Sequence, residues 1–201
     1  MYNMTTRHLI IALIAVGFSL STWAQKAPGT VNTLGGKAIF IESNPKTQFR
    51  HIGTIECAII SPDKFDLMMD HMVLKRVEKV YPEIEYDAVV FRPNTAFRKA
   101  DIIKFYPDPE AGRRRDDDEI NPDYLRSETI GRNGLNLFIE NEPTGDYQVL
   151  GKIELPQNFT STDFQKIMSE MIRVSRLNYP NLNGIVFTPG TGLSKAVVIK
   201  I

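Results

Sequence analysis

Apolar residues in this chain alternate in short runs, switch to helical spacing, and then alternate again; the whole sequence of changes occurs twice. Residues 37–42 read as a short strand, turned by Asn44-Pro45-Lys46-Thr47. Residues 49–60 read as a longer strand. The period of two puts His51, Gly53, Ile55, Cys57 and Ile59 on one face and Arg50, Ile52, Thr54 and Glu56 on the other. Ser61-Pro62-Asp63 then supplies a capping hydroxyl, a proline at the first helical position and an acid in the first turn. Phe65, Met68, Met69, Met72, Val73, Val77 and Val80 follow at three- and four-residue spacing, which predicts an amphipathic helix ending at Tyr81, before Pro82. Residues 87–92 and 99–106 predict two returning strands, so 37–106 forms a β-β-α-β-β unit.

The second unit, 134–201, has the same plan. Strands are predicted at 135–140 and 147–155, and Thr160-x-x-Asp163 resembles a capping box. The helix carries Phe164, Ile167, Met168, Met171 and Ile172 and stops at Tyr179-Pro180. Strands at 184–188 and 195–201 close the unit. The two units also match residue by residue. Phe138-Ile-Glu-x-x-Pro143 falls on Phe40-Ile-Glu-x-x-Pro45 at an offset of 98, as do Gly151-x-Ile-Glu154 on Gly53-x-Ile-Glu56 and Tyr179-Pro180 on Tyr81-Pro82. At an offset of 96, Ile185-Val-Phe-x-Pro189 falls on Val89-Val-Phe-x-Pro93, and Lys195-Ala-x-Val-Ile-Lys200 on Lys99-Ala-x-Ile-Ile-Lys104. Such an ordered series marks an internal duplication. With right-handed crossovers it predicts an α+β fold: two tandem β-β-α-β-β repeats forming one pseudo-symmetric sheet-and-helix domain.

Two stretches fall outside the pattern. Residues 25–36, rich in Gly, Thr and Asn, read as a flexible lead-in. Residues 107–133, with Arg113-Arg-Arg115 followed by Asp116-Asp-Asp-Glu119, read as an exposed charged inter-repeat loop with a short helical turn around Tyr124-Leu125.

The N-terminus changes the picture more than composition does. Arg7 and His8 precede a twelve-residue apolar run, 9–20, and Ser21-Thr-Trp-Ala24 ends in a small residue. That is the pattern of a secretory signal peptide covering 1–24, and the run is short of the ~20 residues that span a bilayer. The expected location is therefore periplasmic or secreted, without a stable membrane anchor once the leader is removed. The chain is 42% apolar and 24% charged with a formal net charge of zero; loss of Arg7 leaves the mature protein near −1. No bulk field draws it to nucleic acid. Cys57 is the one cysteine, so the exported protein has no disulfide framework and relies on burial.

Each unit resembles the small exported βαββ modules of the heavy-metal-binding-like superfamily, a group that includes the periplasmic domain of the Rcs stress-sensing lipoprotein. The likeness is carried by Gly-x-Ile-Glu at Gly53 and Gly151, the amphipathic helices, Asp87-Ala-Val-Val90 and Asn183-Gly-Ile-Val186. It implies a duplicated envelope module and raises the question of metal.

The residues answer against metal. His51 and Cys57 lie six positions apart on one strand, roughly 20 Å, and cannot share an ion. Cys57 stands where the second unit has Leu155, and His51 where it has Val149. His71 lies off the apolar stripe of its helix. Asp116 to Glu119, with Asp123 nearby, lacks the alternating acids and turn glycine of a calcium loop. No serine sits in a Gly-x-Ser-x-Gly turn. Pro189-Gly-Thr-Gly192 lacks the Gly-Lys-Ser/Thr ending of a phosphate loop and leads into a strand. Glu56 and Glu154, equivalent acids on the outward strand faces, would form a paired-carboxylate site only if the fold brought them together. The sequence therefore supports an exported non-enzymatic scaffold or interaction protein of the cell envelope, with no catalytic, cofactor or metal residues assigned and an envelope protein or a further copy as partner. The alternative is an enzyme or small-ligand-binding protein with its site at the junction of the two repeats.

Overall fold

The computed structural model describes residues 26–57, 73–92, 98–106 and 121–201. Three sheets make up most of it. A five-stranded sheet has the order β2 (Thr33–Leu34), β3 (Lys37–Phe40), β6 (Ala88–Phe91), β7 (Lys99–Phe105), β5 (Phe49–Glu56). A four-stranded sheet has the order β11 (Gln148–Glu154), β13 (Lys195–Lys200), β12 (Gly184–Phe187), β9 (Asn136–Phe138). The third runs β10 (Asn141–Pro143), β1 (Pro28–Val31), β8 (Arg126–Thr129), β4 (Ser43–Pro45). Two helices are described: α1 (Lys75–Val80) and the longer α2 (Phe164–Asn178).

This overturns the α+β expectation of two β-β-α-β-β repeats. Among the described residues 44% lie in strands and bridges of three sheets, closer to an all-β architecture, and α2 is the one helix longer than two turns. The difference comes from segments whose sequence hides their strands. The predicted lead-in, 25–36, contains β1 and β2. The end of the predicted charged loop, 121–133, contains a 3-10 turn, Pro122–Leu125, and β8. Their buried positions are small or polar (Gly29, Ser127 and Thr129, with Val31 the exception), so no apolar alternation announces them. β1 and β8 become strands by pairing with each other across the two halves, and β2 by pairing with β3. The predicted leader, His71, the start of the first helix at Ser61 and the charge block at 113–119 lie outside the described residues.

The offsets at which motifs recur in sequence recur in register. Parallel pairing puts Ala38 beside Ala88 and Asn136 beside Gly184. Antiparallel pairing puts Ala88 opposite Ile103 and Gly184 opposite Ile199. Phe-Ile-Glu-x-x-Pro proves to be a corner. Glu42 and Glu140 take left-handed φ values of 49° and 47° and turn the chain from β3 to β4 and from β9 to β10. The isoleucines just before them, Ile41 and Ile139, bridge each other directly.

One apolar core runs through both halves, with Ile39, Ile41, Ile55 and Val77 from the first and Leu137, Ile139, Met168 and Met171 from the second. Each such side chain removed from water stabilises by ~1.5–3 kcal/mol. The predicted stripe of α2 (Phe164, Ile167, Met168, Met171, Ile172) faces this core. Its N-cap is Asp163 rather than Thr160: the carboxylate accepts from the Lys166 N–H at 3.0 Å. On the other face of each large sheet lies a smaller cluster. Phe40, Ile103 and Phe105 pack with Val31 and, from the 3-10 turn, Tyr124 and Leu125; Phe138 and Ile199 pack with Ala27.

Candidate functional site

Among the described residues a grouping of four polar side chains lies on the outer face of the five-stranded sheet, and a break in strand regularity builds it. β5 is an edge strand whose register against β7 shifts between His51 and Gly53, so Ile52 is an extra residue, a β-bulge. The bulge resets the alternation. Ile52 and Ile55 pack on the core, while His51 and Thr54 meet on the outer face. The even period read from the sequence put His51 with Cys57 and Thr54 opposite; the inserted residue separates the first pair and joins the second. Gly53 is what permits the arrangement. A Cβ there would come within 2.0 Å of the Tyr81 hydroxyl, and one on Gly151 within 1.9 Å of Tyr179. That Gly–Tyr packing explains two of the sequence motifs at once.

Asp101, on β7, is the centre of the grouping. Arg92 approaches it as a fork, Nε to Oδ2 at 2.9 Å and one terminal nitrogen to Oδ1 at 2.7 Å. The Thr54 hydroxyl donates to Oδ1 at 2.6 Å, and His51 Nε2 lies 3.2 Å from the same oxygen. Partial burial pushes the Asp101 carboxyl up, but the hydrogen bonds from Arg92, Thr54 and His51 and the Arg92 charge outweigh it and hold the group below its ordinary range. The geometry is not that of a nucleophilic triad. There, an imidazole uses one nitrogen on the nucleophile and the other on the acid. Here His51 Nε2 contacts both Thr54 and Asp101, and Thr54 gives its proton to the carboxylate directly. The arrangement ties the edge strand to the β6–β7 hairpin and leaves a His–Arg rim in water.

The second half carries no counterpart. Val149, Lys152, Thr188 and Val197 occupy the equivalent positions, and one end of that face is apolar: Val149 is 56% exposed, with Tyr147 and Ile201 also exposed beside it. Sequence reasoning missed Thr54, Arg92 and Asp101. Two signals pointed to them: a lone glycine inside a strand, and Asp101 against Val197, the one position where β7 and β13 differ by a charge.

The remaining candidates are dispersed. Glu56 faces Lys99 across β5–β7 at 3.9 Å and Glu154 faces Lys195 across β11–β13 at 3.1 Å. Each is an exposed cross-strand ion pair within its own sheet. Cys57 packs against the core, and burial pushes its thiol up to about 11 despite the pull of Arg76. In the 189–192 turn, the Thr191 hydroxyl donates to the Thr188 carbonyl at 2.7 Å, and the turn runs into β13. Asp123 pairs with Arg126 at 2.8 Å. Among the described residues, no group of three or more His, Cys, Asp or Glu side chains is placed to hold a metal ion. No protein-family model, curated protein or solved structure matches the chain.

Proposed function

We propose that this is an exported, non-enzymatic interaction protein of the cell envelope, free of the membrane once its leader is removed. The leader pattern at 1–24 and the resemblance to exported modules support the address. The observation that supports the role is the contrast between the outer sheet faces. One bears the Asp101 polar network beside exposed Phe49; the other lacks that network and presents Tyr147, Val149 and Ile201 together, because pairing of Gln148 with Lys200 brings the ends of β11 and β13 side by side. An exposed apolar group of this kind favours contact with another protein. The rival reading, a ligand site between the halves, has less support: Ile41 and Ile139 meet there within one apolar core, and Glu56 and Glu154 are each paired within their own sheet.

The test is recovery of partners from native envelope with mature protein and with a Val149→Asp, Tyr147→Ser double variant of unchanged far-UV dichroism. The variant is expected to lose the proteins retained by wild type. Equal recovery by both would remove this surface from the proposal.

A further inference from the structure

The third sheet takes its strands alternately from the two halves: β10 from the second, β1 from the first, β8 from the second, β4 from the first. Among the described residues, none of its strands pairs with a strand of its own half. The pairings are also reciprocal. Adding 98 to one residue of a pair and subtracting it from the other turns Pro28–Glu128 into Arg126–Thr30, Gly29–Pro143 into Ser127–Pro45, and Val31–Asn141 into Thr129–Ser43, and all six pairings are present. The flanking hydrogen bonds obey the same rule: Asn32 N–H to Glu140 O and Ile130 N–H to Glu42 O, both 2.9 Å. Contacts related in this way are those of an isologous dimer, here enclosed in one chain.

We infer that a second copy of this chain is a partner for each half. The first half of one copy closes on the second half of another, and reciprocally, giving a strand-exchanged dimer. No new contact is required, because every pairing the dimer uses is already made within the monomer. Like halves are disfavoured. The Glu42 carboxylate, 6% exposed, is held by Arg132 at 3.3 Å, and Arg132 also donates to Gln165 on α2 at 2.9 Å. Between two first halves, Leu34 would stand where Arg132 does. A buried carboxylate deprived of its guanidinium is strongly unfavourable. The exchange is therefore first half with second half. The surface it uses is distinct from the apolar outer face assigned to envelope partners, so either reading can fail without the other.

The experiment uses the full mature chain with a specific protease site inserted between Gly112 and Arg113. Protein unfolded in urea is refolded at increasing concentration, with one population isotopically heavy, and sized by light scattering and native mass spectrometry. The expected result is a dimer whose share grows with concentration. Cutting the inserted site should collapse it to particles of one-chain mass, part of them holding one heavy and one light half. Val149→Asp should leave the dimer intact. Absence of a dimer at every concentration, a dimer that keeps its mass after cutting, or halves that separate on cutting would each overturn the inference.

Discussion

Gly151 shows how a single missing side chain sets local structure. The Tyr179 ring end occupies the space a Cβ would need, with Cζ at 2.4 Å as well as the hydroxyl at 1.9 Å, so the constraint comes from contact. Gly151→Ala should destabilise by ~1–3 kcal/mol through overpacking. Combined with Tyr179→Ala it should cost less than the two single changes together, because the clash disappears; urea denaturation of the four proteins measures this. Two carboxylates give pH effects of opposite sign. Asp101 is held below its ordinary 3.8, so its contribution to stability is present above that value and is lost as pH falls through the folded pKa. Glu42 is raised above 4.5, by burial against the pull of Arg132, so its contribution is present below 4.5 and is lost as pH rises through the folded pKa. The urea midpoint of Asp101→Asn should therefore fall less than wild type on acidification. Glu42→Gln should lack the component of stability that wild type loses as pH rises above 4.5.

Elements differ in how openly the sequence declares them, and the reason is what each one buries. The stripe on α2 is legible because five large apolar residues meet one core at helical spacing. β5 and β11 are legible as strands, but their faces are not, because a bulge one residue long inverts the alternation. This hid the Asp101 grouping: its members come from β5, β7 and the residue just after β6, and meet only after Ile52 is displaced. β1 and β8 are the least legible. Their inward positions are Gly29, Val31, Ser127 and Thr129, and each needs strands from the other half before it has a neighbour. Deleting residues 26–31 separates the readings. Loss of a flexible lead-in would leave stability unchanged. Loss of β1 removes the strand between β10 and β8 together with buried Ala27 and Val31, and should lower stability by at least ~2 kcal/mol.

At the scale of the molecule, alternation within the third sheet makes the two halves one cooperative body. Unfolding either half would strip neighbours from strands of the other and expose a core to which both contribute. The duplication therefore does not yield two independent modules, and equilibrium unfolding should show a single transition. Ile139 is the sharpest probe. It lies fully buried at the crossing point, bridged to Ile41, and touches the core shared by both halves. Ile139→Ala should cost ~2–5 kcal/mol. Followed by hydrogen exchange, the loss should reach β6 and β7 in the first half as fully as β12 and β13 in the second, although the substitution lies in the second. Protection that falls only between residues 126 and 201 would mean that the halves unfold separately, and that the shared sheet holds them together without coupling them.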